Sequence, residues 1–180
     1  MKWIARWCLI FSAVSAFAQK TSVDLGSDVS VMTCRVFHPF RSVVMVSTEA
    51  MYRVRADTSS RTLSEVEGLV DMASFRSEDA GWDARVRGVI DTSAHPVASF
   101  ESAEVDEDGD SVNVVGELLL HGVRKYVNIR ARSVWSDSAL SVSGRFDLSL
   151  SAYGISRPSI LLLPVADTLL VSFRMKFRLK

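Results

Sequence analysis

Hydrophobic and polar residues alternate along most of this chain. The clearest stretch is the last, where Val171, Phe173, Met175, Phe177 and Leu179 are interleaved with Ser172, Arg174, Lys176, Arg178 and Lys180. A period of two puts the first set on one face of a β-strand and the second on the other. The same period runs through Leu140, Val142, Gly144, Phe146, Leu148 and Leu150, and again through Val127, Ile129 and Ala131. Less regular alternation predicts strands over Val29–Phe37, Val43–Ala56, Thr62–Ser74, Val97–Val105 and Ser111–Leu120, the last following a turn at Glu107-Asp108-Gly109-Asp110. Strands with one apolar and one wet face are antiparallel in type. About eight of them at this spacing predict a barrel or sandwich.

One segment keeps a different period. Between Ser77 and Asp91, the residues Trp82, Val86, Val89 and Ile90 fall at i, i+4, i+7 and i+8, the apolar face of an amphipathic helix. Ser77 reads as its N-cap, Glu78 and Asp79 put negative charge where the helix dipole favours it, and Pro96 lies beyond its end. A helix of this kind can cover one opening of a closed barrel with a hydrophobic interior. Strand period does not separate an interior filled by side chains from one that holds a ligand.

Composition narrows the partners. The 180 residues are 48% hydrophobic and 23% charged, with 21 Lys+Arg against 21 Asp+Glu. That is one packed domain with no electrostatic footprint for nucleic acid, so no nucleic-acid partner is expected. At the N-terminus, Lys2 and Arg6 precede an apolar run from Trp7 to Phe17, and Ala16-Phe17-Ala18 offers small residues where a signal peptidase reads. Residues 1–18 therefore read as a signal peptide and 19–180 as the exported domain, the apolar run being too short to cross a bilayer as a helix. Cleavage would leave 19 basic residues, 21 acidic residues and Cys34 as the one thiol. A domain with one thiol has no internal disulfide and is held by its core. Cys34, inside a strand-like run, reads as a small half-buried side chain rather than a reactive nucleophile.

The sequence holds little that looks catalytic. No Gly-x-Ser-x-Gly is present, and the serines mostly sit on the wet side of the strands. Gly81, Gly88 and Gly109 are isolated and form no phosphate loop, and no histidines fall at metal-ligand spacing. His38 and His95 each precede a proline and read as loop or strand-end residues. His121-Gly122 reads as a hairpin turn or bulge in which glycine supplies positive φ and histidine bonds nearby backbone. Asp83 and Asp91 read as a solvated helix edge, and Glu104–Asp110 as a solvated hairpin turn. No catalytic or metal-binding residue is expected.

The run Gly116-Glu-Leu-Leu-Leu-His121-Gly122-Val123-Arg-Lys125 resembles the signature strand of the YceI-like family of polyisoprenoid-binding proteins. Ser74-Phe75, Asp83, His95-Pro96-Val-Ala-Ser-Phe100 and Ala152-Tyr153-Gly154-Ile155 resemble further family features in the same order, as does His38-Pro39. The chain departs from that pattern at Ser77-Glu78-Asp79, Trp82, Arg85 and Leu119. The resemblance implies an all-β fold, an extended antiparallel lipocalin-like barrel of about eight strands with one amphipathic helix. It also implies export to the periplasm and a long isoprenoid lipid, of quinone or polyprenyl type, held inside as ligand and carried rather than transformed. No other cofactor is expected. A homodimer and a membrane-surface contact are compatible with that role. The interior lining is expected to include Phe100, Val142, Phe146, Leu148, Phe173, Met175 and Phe177, the apolar members of the alternating strands. Three other readings stand beside the carrier. They are a filled-core barrel with a structural or interaction role in the envelope, a membrane-spanning barrel, which two tryptophans and three tyrosines after residue 18 would serve thinly as aromatic girdles, and an enzyme using His121 or Asp83.

Overall fold

The computed structural model describes residues 22–160 and 162–179; the expected signal segment lies outside them. Strand β1 (Ser22–Phe37) closes the sheet on itself. On one side it pairs with β11 (Thr168–Arg178), and on the other with β2 (Ser42–Ser47) and β3 (Met51–Asp57). The pairs Phe37↔Ser42 and Ser22↔Asp57 share one register, so β2 and β3 form one strand interrupted at residues 48–50. The wall continues through β4 (Thr62–Asp71), β5 (Val97–Asp108), β6 (Ser111–Leu120), β7 (Val123–Trp135) and β8 (Ala139–Ser149), which returns to β11. The result is a closed antiparallel barrel with eight staves. A short hairpin of β9 (Ser159–Ile160) and β10 (Leu163–Pro164) sits in the connection before β11.

Helix α1 (Ala80–Ile90) and a 3-10 turn at Met72–Ser74 form an excursion from one end of the barrel. It leaves and returns at one point, because Asp71 pairs with Val97 and Met72 N–H donates to Pro96 O at 2.8 Å. The predicted helix is corrected at its start. Asp79, not Ser77, is the N-cap, its carboxylate accepting from Trp82 N–H at 2.9 Å. Ser77 is engaged elsewhere, with its N–H and hydroxyl donating to Asp83 at 2.9 and 2.6 Å. Asp83 is accordingly buried at 4% exposure rather than lying on a solvated edge. Asp91 ends the helix in the left-handed region at φ 48°.

His121 and Gly122, at φ 51° and 74°, form the two-residue turn between β6 and β7. Positive φ at both central positions is the hairpin geometry whose twist matches the flanking strands. The histidine bonds a distant carbonyl rather than its near neighbours, with Nδ1–H donating to Tyr153 O at 3.0 Å. That bond ties the hairpin to the buried Tyr153 turn.

The acidic segment is also corrected. Strand β5 runs to Asp108, so Glu104, Asp106 and Asp108 face outward from a strand rather than decorating a turn. A bulge between Ser102 and Glu104 shifts the alternation by one residue, turning Val105 and Glu107 inward. Glu107 accepts from Leu63 N–H at 3.0 Å, and burial holds its carboxyl above the ordinary carboxylate range.

Three glycines govern the interior. Gly68 lies opposite Tyr52 and Gly144 opposite Phe173, while Gly116 sits diagonally from Phe100. A Cβ added at Gly144 would stand 2.5 Å from the Phe173 ring, and one at Gly116 would stand 2.6 Å from the Phe100 ring and 2.3 Å from Glu101 O. Each aromatic ring is laid flat against the wall over a residue that has no side chain. Gly116→Ala is therefore expected to cost about 2 kcal/mol by overpacking and to lower Tm by roughly 4–8 °C in differential scanning calorimetry.

Candidate functional site

The inward faces of the strands meet in two apolar clusters. The first, at the helix end, holds Val36, Met45, Phe75, Trp82, Leu118, Leu120, Leu148 and Val171 among others. The second, at the opposite end, holds Val54, Val112, Val114, Ile129, Leu140, Val142, Phe173, Met175 and Phe177. A cavity of about 180 Å³ runs between them and touches both. Helix α1 supplies Trp82, Val86, Val89 and Ile90 to its wall, so the amphipathic face read from the sequence faces the barrel.

The accessible surface of inward residues reveals the same space from another side. Met32, Cys34, Phe100 and Phe146 point inward yet are only half-buried. In a filled core such positions would be fully buried; here they face the cavity.

Six of the residues expected to line the interior do line this cavity: Phe100, Val142, Phe146, Leu148, Phe173 and Met175. Phe177 does not. It is inward-facing but fully buried, packed in the second cluster with Leu140 near the end away from the helix. Alternation gives the face a residue occupies but not how far along the barrel the open space extends. Sequence reasoning missed Met32, Cys34, Met45, Tyr52 and Gly68 on the first strands. The alternation of Tyr52, Val54 and Ala56 was the available signal for that side.

Polar chemistry in the lining is sparse. Cys34 is a free thiol facing the cavity, and removal from water pushes it up from 9.0 to about 12. Its partly accessible surface faces the internal space rather than bulk solvent, which is why desolvation is strong. Tyr52, 6.4 Å between centroids from Phe173, has its hydroxyl raised by burial, and Cys34 adds to that. The Tyr52 hydroxyl and Trp82 Nε1 are both buried with no partner among the described residues. His121 and Asp83, the candidate acid and base, are instead used in structural bonds to Tyr153 O and to Ser77. His38 is likewise occupied, with Nε2–H donating to Leu163 O at 3.2 Å and Nδ1 accepting from Phe40 N–H at 3.3 Å. Among the described residues, no three His, Cys, Asp or Glu side chains come together as metal ligands would.

A family profile described as the YceI-like domain matches residues 23–177. The chain belongs to the YceI-like family. A UPF0312 protein of Pseudomonas aeruginosa is 30% identical over 107 residues, 55% of this chain and 56% of that protein. The chain thus matches little more than half the length of that relative. Protein YceI of Escherichia coli is 26% identical over 129 residues, 70% of this chain and 68% of that protein. Among solved structures, BcnA of Burkholderia cenocepacia has the same fold at a TM-score of 0.73 and 19% identity, covering 82% of this chain and 95% of BcnA. A domain of Saccharophagus degradans described as polyisoprenoid binding superposes with a TM-score of 0.66 at 15% identity, covering 87% and 98%. The lipocalin-like barrel is thus the YceI-like barrel.

The buried thiol gives this YceI-like chain a pH signature. Cys34 is held protonated in the fold up to about 12, against 9.0 when unfolded, so its contribution is complete below pH 9.0 and is lost as pH rises toward 12. Denaturation midpoints of wild type are expected to fall more steeply between pH 9 and pH 11 than those of Cys34→Ala. Parallel curves would show the thiol reaching bulk water.

Proposed function

We propose that this protein is a binding and carrier protein of the periplasm for a long-chain isoprenoid lipid, of quinone or polyprenyl type, held in the barrel interior without chemical change. The observation that carries this reading is the apolar cavity joining both core clusters. Burial of apolar surface contributes about 25 cal/mol per Å², so a hydrocarbon chain drawn along this interior is bound by area alone. The Saccharophagus domain, described as polyisoprenoid binding, shares the fold and supports the reading. Export by a cleaved N-terminal signal is part of the same proposal.

A space of about 180 Å³ is somewhat larger than the ~150 Å³ that admits benzene. A long chain therefore needs the lining to give way. Met32, Met45, Met72 and Met175 line the cavity, and methionine side chains, with three rotatable bonds, repack at low cost. The rings of Tyr52, Phe100 and Phe173 already lie against the wall. Tyr52 and Trp82 belong to the lining, and their O–H and Nε1–H have no acceptor among the described residues, so a ligand with an acceptor oxygen, such as a quinone, would satisfy them once the lining repacks. The described residues that line the cavity are almost all apolar, with Cys34 and Tyr52 both held protonated by burial, which favours binding over catalysis.

Native mass spectrometry of the protein from its own cell envelope, followed by solvent extraction, is expected to release a stoichiometric isoprenoid. A protein that emerges lipid-free and takes up none on incubation would favour the filled-core alternative, a structural or interaction role in the envelope. Gly144→Val is expected to drive the Phe173 ring into the cavity and reduce lipid retention at least tenfold, beyond what its loss of Tm explains. Retention equal to wild type would move the ligand elsewhere.

A further inference from the structure

The charges that cancel in the composition are separated in space. On the outer face of β7, β8 and β11, Arg130 lies directly opposite Arg145, and Arg132, Ser143 and Arg174 form the adjacent row. Lys176 lies in the next row, opposite Ser141. All five cations are exposed. Of these, only Arg132 has an acidic partner among the described residues, Asp110 at 2.8 Å, while the neighbouring Arg178 pairs with Asp28 at 3.3 Å. Asp147, two residues from Arg145, is the one carboxylate on the same face of β8. Across the barrel, where β4 faces β8 and β5 faces β11, the wall is acidic. There Glu67, Glu101 and Glu117 lie side by side across β4, β5 and β6, with Glu104, Asp106 and Asp108 further along β5. That wall is partly neutralised in place by Arg53 on Glu67, Arg55 on Glu65 and Arg124 on Glu117.

Like charges placed directly opposite on neighbouring strands destabilise a sheet. Arg130 and Arg145 therefore oppose folding, and an external anion is what would turn them to advantage. Guanidinium groups spaced by serines suit phosphate oxygens, which they bind in bidentate fashion. The Lys176 row ends in two exposed valines, Val134 and Val29, apolar side chains of a size that can enter a headgroup layer.

We propose that the outer wall of β7, β8 and β11 is a docking surface for the phosphate-bearing face of an anionic lipid membrane. A deformable headgroup layer can follow the convex wall. A second copy would have to set against it its own acidic wall, whose charge Arg53, Arg55 and Arg124 already neutralise in part. The assignment stands independently of what the cavity holds.

Vesicle co-sedimentation tests it. The purified protein is expected to pellet with vesicles of phosphatidylethanolamine and phosphatidylglycerol, not with phosphatidylcholine alone, and to be released by salt. Arg145→Thr and Arg174→Thr are each expected to weaken binding about fivefold, and the pair about twenty-five-fold. Arg53→Thr on the acidic wall is expected to leave it unchanged. Arg145→Glu separates surface from fold: it places opposite charge across from Arg130, so Tm holds or rises while vesicle binding is lost. Equal binding to both vesicle types, no binding by wild type, or wild-type binding by the arginine variants would overturn the proposal. So would a salt-sensitive self-association abolished by Arg145→Thr, which would make the wall an interface between copies.

Discussion

A barrel of eight staves encloses barely more width than its own inward side chains occupy. Whatever space remains inside depends on where the largest of those side chains are laid. Tyr52, Phe100 and Phe173 all point inward, and rings crossing the lumen would close it. Each instead rests on a glycine of the neighbouring strand, Gly68, Gly116 or Gly144, so closely that at Gly116 and Gly144 no Cβ fits between. The glycines weaken their strands, since they contribute no packing side chain and more backbone entropy. In exchange the rings keep their buried area against the wall and leave the axis open. With the axis left open, inward Met32, Cys34, Phe100 and Phe146 are half-buried rather than buried.

From that follows the division of the interior. The half with Leu140, Val112 and Phe177 is packed to near-zero exposure and acts as the floor. The half under α1 holds methionines, the thiol of Cys34 and the indole of Trp82. The helix is carried on an excursion whose two ends meet at Asp71 and Val97, and its entry is fixed by Ser77 on buried Asp83. His121 fixes the neighbouring hairpin to the Tyr153 turn at the same end. Polar side chains at this end thus hold loops in place around an apolar space.

The parts legible in the sequence are those where one local rule acted alone. Strands β8 and β11 pair over eleven positions without a bulge, so strict alternation read them correctly. Residues 43–56 read as one strand because β2 and β3 keep a single register through their interruption. Where two rules competed, the reading slipped. At the bulge near Ala103 the phase changed, hiding that β5 continues and that Glu107 turns inward. Ser77 has the chemistry of an N-cap, but a tertiary partner, Asp83, claimed its hydroxyl and left capping to Asp79. Phe177 carries the same pattern as Phe173 and Met175, and only depth along the barrel axis separates floor from cavity. The alternating pattern holds no information about that coordinate.

Charge makes the same point more sharply. A count of 21 against 21 says that the molecule has no net field, and so argues against a polyanionic partner. The fold converts a neutral count into a transverse dipole, because closing eight strands into a ring brings β4 and β5 opposite β8 and β11. Outward positions on those strands are free of packing demands, so their charges were not placed by the core. Random placement would mix signs, and mixed signs would be favoured by cross-strand pairing. The wall instead sets Arg130 against Arg145 and Glu67 against Glu101, a cost at both faces that stability alone does not explain. An orienting field, basic side toward an anionic plane and acidic side away, needs both walls, which is the arrangement the barrel presents.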